Sequence, residues 1–249
     1  MNTVQQLTIY QTFHKDFVRN EDCPWIQPVG VNGYVGPGVQ SDSDGDNIAQ
    51  LNPYYCELTA QYWAWKHSRA AVVGFFHYRR YLNFLFDATW EYHTTVGVPA
   101  NAQFLSYLTS DAQRQRLDEL LGVAEAVVAK RAGSNRSLQD HYLAYHPKPT
   151  WDAFLAELND NHPEYRPFID MFRLGTTLSA CNMYVMRRAH FKAYCEELFP
   201  IIDAVYRQIG TPYDTYNNRY PGFLAERFLG LWLHVRRLRT FEVPLIQLT

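Results

Sequence analysis

The stretch AAVVGFFHYRRYL at residues 70–82 decides the fold class of this chain. Its first part is a continuous apolar run of strand length, which is typical of a strand covered on both faces of a central sheet. The run ends abruptly in His77, Tyr78, Arg79 and Arg80. In open α/β sheets, ligands bind at the carboxyl ends of the strands. The stretch therefore predicts a buried central strand with a ligand site at its end.

Strand and helix patterns alternate on both sides of this stretch. Further strands are predicted at 7–10, within 26–38, at 122–130 (with helix as the alternative), at 178–188 and at 241–248. Helices are predicted at 53–67, from about Asn101, at 189–209 and at 222–237, the first with Asn52 as its N-cap and Pro53 at its first position. No repeat or linker interrupts the alternation. The sequence predicts a single α/β domain with a mostly parallel central sheet flanked by helices.

Length and composition exclude several classes of protein. A chain of 249 residues fits one large domain or two small ones. The formal net charge of −2 argues against a nucleic-acid binder. No apolar run reaches the length of a transmembrane helix, and the first fifteen residues lack a signal-peptide pattern. We therefore expect a cytoplasmic protein. The four cysteines form no CxxC pair, so reduced structural thiols are expected.

Two features of the sequence have more than one explanation. Aromatic residues make up 16% of the chain, which suits either a site that stacks on ring-shaped ligands or a large aromatic core. Arg79 and Arg80 could clamp a diphosphate through charge-assisted bonds, or they could form structural ion pairs. If their strand continues, they point to opposite faces, so that one of them enters the site.

Polar residues inside apolar elements are further candidates for function. Glu226, Gly230 and His234 form a narrow stripe on an otherwise apolar helix, and a carboxylate there must be paired or functional. Asn182 lies in an apolar strand, as either a core amide or a ligand contact. His141 and His146 lack the spacing of a helical zinc pair, and HExxH, GxSxG, P-loop and GxGxxG motifs do not occur.

Several strings occur in one order along the chain. They are His14-Lys15, DGDNIAQLNPYYCELTAQYWAWK (44–66), VGFFHYRRYL (73–82), CNMYVM (181–186) and GFLAER (222–227). In these residues the chain resembles, over nearly its whole length, the bacterial family of capsular polysaccharide synthesis proteins. That family was long a domain of unknown function and is linked to galactofuranosyltransferases of O-antigen assembly.

The resemblance implies a GT-A-type glycosyltransferase with a Rossmann-like nucleotide half. Residues 1–130 would form the nucleotide-sugar half and residues 131–249 the acceptor and catalytic half. The implied donor is UDP-galactofuranose, transferred with inversion onto a glycan acceptor that is lipid-linked. The donor site would contain His14, Lys15, Gly30, Asp46, Asn47, the strand-end residues 77–80 and Asn182, with Asn182 near the transferred sugar.

Glu226 is the candidate general base, because it lies in the GFLAER string near the start of a helix whose positive end would favour the ionised carboxylate. Asp140 is the reserve base. The adjoining residues Tyr142 and His146 are the candidate acceptor contacts.

No metal or other cofactor is expected. Many GT-A enzymes carry Asp-x-Asp at the end of a central strand to hold a metal on the donor diphosphate. Here the comparable strand end is His77–Arg80, so arginine charge is expected to replace the metal. If a metal is used, Asp42, Asp44 and Asp46 are its candidate ligands, although they lie in a loop before a helix.

The alternatives to a transferase are a nucleotide-sugar phosphohydrolase and a non-catalytic carbohydrate-binding module. Contact with a partner transferase is also open. The basic residues Arg236, Arg237 and Arg239 lie beside Leu231, Trp232 and Leu233. This segment would either touch an anionic surface at the inner membrane or, as we favour, pack its apolar residues in the core.

Overall fold

The computed structural model describes residues 7–86 and 93–249. The strands are β1 (Leu7–Phe13), β2 (Ile26–Gly30), β3 (Gln40–Ser41), β4 (Val72–His77), β5 (Arg80–Leu82), β6 (Thr95–Val98), β7 (Ala126–Ala129), β8 (Ala132–Gly133), β9 (Thr177–Leu178), β10 (Tyr184–Arg187), β11 (Thr240–Val243) and β12 (Leu245–Leu248). The helices are α1 (Asn52–Tyr55), α2 (Leu58–His67), α3 (Ala102–Leu108), α4 (Asp111–Val123), α5 (Leu138–Leu143), α6 (Lys148–Asn161), α7 (Ile169–Leu174), α8 (Arg188–Ile209) and α9 (Tyr220–Val235). Residues 1–6, which carry part of the signal-peptide expectation, lie outside the described ranges.

The central sheet has the strand order β11-β7-β10-β4-β1-β2-β3. β1 runs parallel to both β2 and β4, β2 runs parallel to β3, and β7 runs parallel to β11. β10 lies antiparallel between β4 and β7. Helices cover both faces of this sheet. The predicted α/β fold with a mostly parallel central sheet is confirmed.

Alternation along β4 supplies both layers of the core. Phe75 packs into the layer that holds apolar residues of α2, α6, α8 and α9, and Phe76 packs into the layer of α3 and α4. Gly74 precedes them, at a position where a Cβ atom would come within 2.7 Å of the Val185 side chain on β10. β4 is therefore the central strand that its apolar run predicts.

The predicted strand ends where its apolar run ends, and it does not continue through the two arginines. β4 stops at His77, the chain turns at Tyr78 and Arg79, and β5 returns antiparallel with Arg80 opposite His77. β5 is held there because it also pairs with β12. Arg79 and Arg80 are therefore not on opposite faces of one continuing strand.

The predicted helix over 53–67 is broken, and Asn52 is not its N-cap. A 3₁₀ turn at Ala49–Leu51 precedes α1, so that Asn52 is a helical residue. Cys56 has a φ of 51° and separates α1 from α2. The Asn52 side chain donates 2.8 Å to the Cys56 carbonyl at this break. The break directs Cys56 and Glu57 away from the helix axis.

Two other strand predictions are shortened. In the segment 178–188, the strand of the central sheet is only Tyr184–Arg187, because Cys181 and Asn182 before it have positive φ values of 76° and 49°. The segment 241–248 divides into β11 and β12 at Pro244, which has no backbone N–H to donate.

The strand β7 and the helices α3, α8 and α9 confirm the remaining predictions. Leu231, Trp232 and Leu233 on α9 are buried in the core, as favoured over a membrane contact. The aromatic excess also serves the core, since seven tyrosines are among the largest fully buried side chains. None of the described helices has the length and apolar character needed to cross a bilayer.

Candidate active site

A cleft of about 700 Å³ lies at the carboxyl ends of β1, β2 and β4. We call its two sides the N-terminal wall and the C-terminal wall. The N-terminal wall is formed by Thr12, His14, Val31, Asn32, Asn52, Pro53, Cys56, Glu57, His77, Tyr78, Arg79 and Arg80. The C-terminal wall is formed by Cys181, Thr215, Tyr216, Arg219, Gly222, Phe223 and Glu226. The cleft is therefore where the parallel strands of the sheet predict a ligand site.

The turn between β4 and β5 brings two arginines into the cleft. Arg79 has a buried Nε with no hydrogen-bond partner among the described residues. Arg80 is more constrained, because its Nε donates 3.2 Å to Gln247 and its Nη1 lies 3.4 Å from His77 Nδ1. Both arginines line the cleft, and the buried Nε of Arg79 has no partner in the part of the chain that the structure describes.

His14 and Tyr78 lie at the same end of the cleft. Their rings meet edge to face with centroids 4.8 Å apart. Burial, with Lys15, Arg219 and Arg79 nearby, lowers the pKa of His14. Burial also lowers the pKa of His77, although Glu57 opposes the shift. Both imidazoles are therefore biased towards the neutral form, and the positive charge of this wall comes from arginine.

Arg219 brings a third guanidinium group to the cleft from the opposite side. Its Nε donates 2.9 Å to the Cys56 sulfur. Burial raises the pKa of Cys56 to about 12, so Cys56 remains a thiol at neutral pH. The contact therefore joins the two walls without neutralising Arg219.

Glu226 projects from α9 into the cleft, where its side chain is 21% exposed. Its Oε1 accepts a 3.0 Å hydrogen bond from the Cys181 backbone N–H, and its Oε2 lies 3.8 Å from Arg227. Burial raises the pKa of Glu226 to about 7, Arg227 opposes the shift and Glu57 adds to it. Its pKa thus lies near the value that suits a general base at neutral pH.

The expected effect of the α9 N-terminus on Glu226 is wrong. Glu226 is the seventh residue of α9, whereas a helix dipole acts mainly within the first turn. Burial dominates instead and shifts the pKa upwards rather than downwards.

Glu57 is a second carboxylate in the cleft, and it directly precedes α2. Its Oε1 accepts a 2.7 Å hydrogen bond from Asn182 Nδ2. Asn182 is fully buried, and its Nδ2 also donates 3.2 Å to the Gly222 carbonyl on α9. The left-handed turn at Cys181 and Asn182 therefore positions both carboxylates, through a backbone N–H for one and an amide for the other.

The structure brings together only some of the candidate donor residues. His14, His77, Tyr78, Arg79 and Arg80 line the cleft, and Lys15 lies at its rim with Nζ 5.4 Å from the centre of the Tyr78 ring. Asn182 lies behind Glu57 rather than in the cleft. Gly30 lies outside the lining, where a Cβ atom would come within 2.1 Å of the Tyr34 carbonyl oxygen. A close backbone approach therefore accounts for the glycine.

The loop that contains Asp42, Asp44 and Asp46 does not fit a metal ion. Asp42 is buried and accepts 2.6 Å from the Thr59 hydroxyl, Asp44 accepts 2.5 Å from Gln40, and Asp46 accepts 3.1 Å from Tyr62. The Asn47 side chain donates within the loop to Ser43 and Gly45. Across residues 7–86 and 93–249, no group of three His, Cys, Asp or Glu side chains is placed to hold a metal. The carboxylates are used to shape the loop.

The reserve base and the candidate acceptor contacts also lie outside the lining of the cleft. Asp140 is exposed and accepts 2.8 Å from Ser137, the N-cap of α5. Tyr142 is fully buried, with its hydroxyl 2.7 Å from that of Thr150. His146 stacks on Phe223 with ring centroids 4.2 Å apart. His146 therefore supports a residue of the cleft.

Sequence reasoning missed Glu57, Arg219, Tyr216 and Phe223. Glu57 reaches the cleft only because the helix breaks at Cys56, which no pattern indicates. Phe223 could have been predicted from the sequence, since it lies three residues before Glu226 and residues at this spacing share a helix face.

Comparisons with known proteins agree with the architecture. The family model described as a domain of unknown function (DUF4422) matches residues 8–237. The fold is similar to the apo structure of WbbM, a bifunctional glycosyltransferase, with a TM-score of 0.86 and 27% identity. The match covers 98% of this chain and 46% of WbbM, so the chain spans slightly less than half of that protein. No curated protein matches the chain.

Proposed function

The chain belongs to the family described as a domain of unknown function (DUF4422), and we propose that it is a glycosyltransferase that moves a sugar from a nucleotide sugar to a glycan acceptor. The observation that carries the proposal is one cleft lined by three arginines and by the Glu226 carboxylate, whose pKa is raised to about 7. The similarity to WbbM supports the same reaction class.

Glu226 acts as the general base in this proposal. Its carboxylate removes the proton from an acceptor hydroxyl as the hydroxyl oxygen forms a bond to the anomeric carbon of the donor. The bond from that carbon to the diphosphate oxygen breaks, and its electron pair leaves with the nucleoside diphosphate. The hydrogen bond from Cys181 N–H fixes one carboxylate oxygen and leaves the other to accept the proton.

Arginine charge stabilises the departing diphosphate. Arg79 and Arg80 line the cleft at the ends of the strands, and the free Nε of Arg79 suits a charge-assisted hydrogen bond. Fixed positive charge aimed at the leaving group contributes most in the transition state, where the negative charge develops. We therefore propose that transfer needs no divalent metal.

The two walls correspond to two halves in the proposed reaction. Residues 1–130 would bind the nucleotide through the strand ends, with His14, Lys15 and Tyr78 at the nucleotide end. Residues 131–249 would supply Glu226 and the acceptor site. Only a direct displacement is needed, so the product is inverted at the anomeric carbon.

The proposed donor is UDP-galactofuranose, and the product is a β-galactofuranosyl unit of a capsule or O-antigen glycan. This step rests on the family resemblance of the strings at 44–66 and 73–82. The proposed acceptor is lipid-linked, which would place the protein in the cytoplasm at the inner membrane surface.

The test offers a panel of nucleotide sugars and saccharide acceptors to the purified protein. We expect glycosyl transfer that falls by about two orders of magnitude or more in Glu226→Gln. Nucleotide release without transfer would instead identify a phosphohydrolase. Saccharide binding without turnover would identify a binding module.

A competition assay tests the donor. UDP-galactofuranose and UDP-galactopyranose are offered together to one galactose-terminated acceptor, and the product linkage is determined by NMR. We expect a β-galactofuranosyl product. Preferential transfer of the pyranose, or an α-linked product, rejects this donor and leaves the transferase proposal intact.

A further inference from the structure

Two aromatic rings, Tyr216 and Phe223, form the outer part of the C-terminal wall. Tyr216 lies in the loop before α9 and Phe223 lies on α9, and both line the cleft. Their centroids are 5.2 Å apart at an interplanar angle of 43°. Tyr216 is 53% exposed, although most tyrosines of the chain are buried or half-buried. An exposed ring beside the candidate base is available to a ligand.

Neighbouring side chains hold both rings in place. The His146 ring stacks at 23° on Phe223 and at 24° on Tyr216, with centroids 4.2 Å and 5.9 Å away. Burial, helped by Arg227, lowers the pKa of His146 to about 4, so this third ring is neutral at pH 7. The Arg219 guanidinium lies 5.6 Å from the centre of the Phe223 ring. The pair is therefore ordered before any ligand binds, which lowers the cost of binding.

The position of the pair relative to Glu226 identifies its ligand. Phe223 and Glu226 lie three residues apart on one face of α9. A general base must reach the proton that it removes, so the acceptor sugar must lie beside Glu226 and hence beside Phe223. Aromatic rings offer a large, rigid apolar surface, which fits the C–H face of a sugar ring.

We propose that Tyr216 and Phe223 form the platform on which the terminal sugar ring of the acceptor stacks. This inference rests on the proposed transferase function and extends it, since it assigns the acceptor site to residues other than Tyr142 and His146. Tyr216 acts through its ring face, so its hydroxyl is dispensable.

A nucleobase is the competing ligand for these rings, because every base has a face that can stack. The arrangement of the cleft favours the sugar. Arg79 lines the cleft with His14 and Tyr78 at the ends of β1 and β4, so a diphosphate bound by Arg79 would place its nucleoside near the strand ends. The test below separates the two ligands.

The experiment compares Tyr216→Leu, Tyr216→Phe and the control Tyr145→Leu. Tyr145 is 59% exposed and does not line the cleft. Initial rates are measured with UDP-galactofuranose and a galactose-terminated oligosaccharide, each varied in turn. We expect Tyr216→Leu to raise the KM for the acceptor by about tenfold, the size of one aromatic contact. The KM for the donor should not change. Tyr216→Phe should recover most of the acceptor affinity because it keeps the ring, and Tyr145→Leu should resemble the wild type.

A rise in the donor KM, or no change in either KM, would overturn the platform. If the wild type transfers no sugar from any donor, the proposed function fails, and a binding measurement then decides the platform separately. In that measurement, NMR saturation transfer is recorded from aromatic protons of the protein to the C–H protons of the oligosaccharide. Disappearance of the transfer in Tyr216→Leu supports the platform, and equal transfer in both proteins rejects it.

Discussion

The two walls of the cleft are built in different ways. The N-terminal wall combines residues at the ends of β1, β2 and β4 with residues of α1 and of the break after it. The C-terminal wall consists of one face of α9, the loop before it and the left-handed turn at Cys181. The strand-end part of the first wall follows from a local rule, whereas the second wall depends on how α9 packs against the sheet.

The walls also carry different side chains, and two contacts join them. The N-terminal wall carries Arg79, Arg80 and Glu57, and the C-terminal wall carries Arg219, Glu226 and the proposed aromatic platform. Glu57 of the first wall is held by Asn182 beside the second, and Arg219 of the second wall contacts Cys56 of the first. In the proposed reaction, Arg79 and Arg80 stabilise the leaving group and Glu226 activates the acceptor.

The largest effect is expected from Glu226→Gln on the C-terminal wall. Glutamine keeps the hydrogen bond from Cys181 N–H but cannot accept the proton, so turnover should fall by about two orders of magnitude or more. Binding of UDP, measured by calorimetry, should be unchanged because the N-terminal wall is intact. Glu196→Gln, at an exposed position on α8, is the matched control. A folded Glu226→Gln protein with near-normal turnover would exclude Glu226 as the base.

On the N-terminal wall, Arg79→Ala should remove the free donor that faces the diphosphate. We expect transition-state stabilisation to fall by about 2–4 kcal/mol, seen as a lower kcat/KM for the donor. Arg79→Lys should recover part of the activity, because lysine restores charge without the planar fork. Arg116→Ala, on the exposed face of α4, is the control.

If the positive charge of Arg79 takes the place of a metal ion, EDTA should leave the wild-type activity intact. Complete inactivation by EDTA, reversed by manganese or magnesium, would contradict the role of Arg79. It would show that transfer depends on a divalent cation.

A smaller effect, confined to pH dependence, is expected from Glu57→Gln. The base works as a carboxylate, so wild-type kcat/KM should rise with pH through about 7, where Glu226 ionises. Because the charge of Glu57 raises the pKa of Glu226, its removal should move this rise to lower pH. Kinetic pH profiles of both proteins test the shift, and kcat/KM on the high-pH plateau should change less than about tenfold. An unmoved profile would show that Glu57 and Glu226 are not coupled.

The contrast between the walls also explains how much the sequence predicts. The apolar run of β4 and its basic end are local features, so the central strand and the placement of the arginines at its end follow directly from them. Glu226 can be recognised in the sequence, because a carboxylate on an otherwise apolar helix must be paired or functional. Glu57 and Arg219 cannot be recognised in this way. The position of Glu57 depends on the helix break at Cys56, and that of Arg219 depends on its contact with Cys56, 163 positions away in the sequence. The position of Asn182 was equally hidden, since its buried amide donates to Glu57 and lies outside the lining of the cleft.

The smallest effect is expected from Asp46→Asn in the loop outside both walls. Asparagine can still accept the Tyr62 hydrogen bond, and the substitution removes only an exposed ion pair with Lys66 at 3.9 Å. Stability measured by thermal unfolding should therefore fall by less than about 1 kcal/mol, and turnover should not change.

Asp42→Asn provides a contrast within the same loop. It alters the buried bond to Thr59 at a cost of about 1–3 kcal/mol in stability, again without changing turnover in the folded protein. If either variant abolished turnover while the protein remained folded, and added manganese restored it, the loop would belong to the site and the division between the two walls would fail.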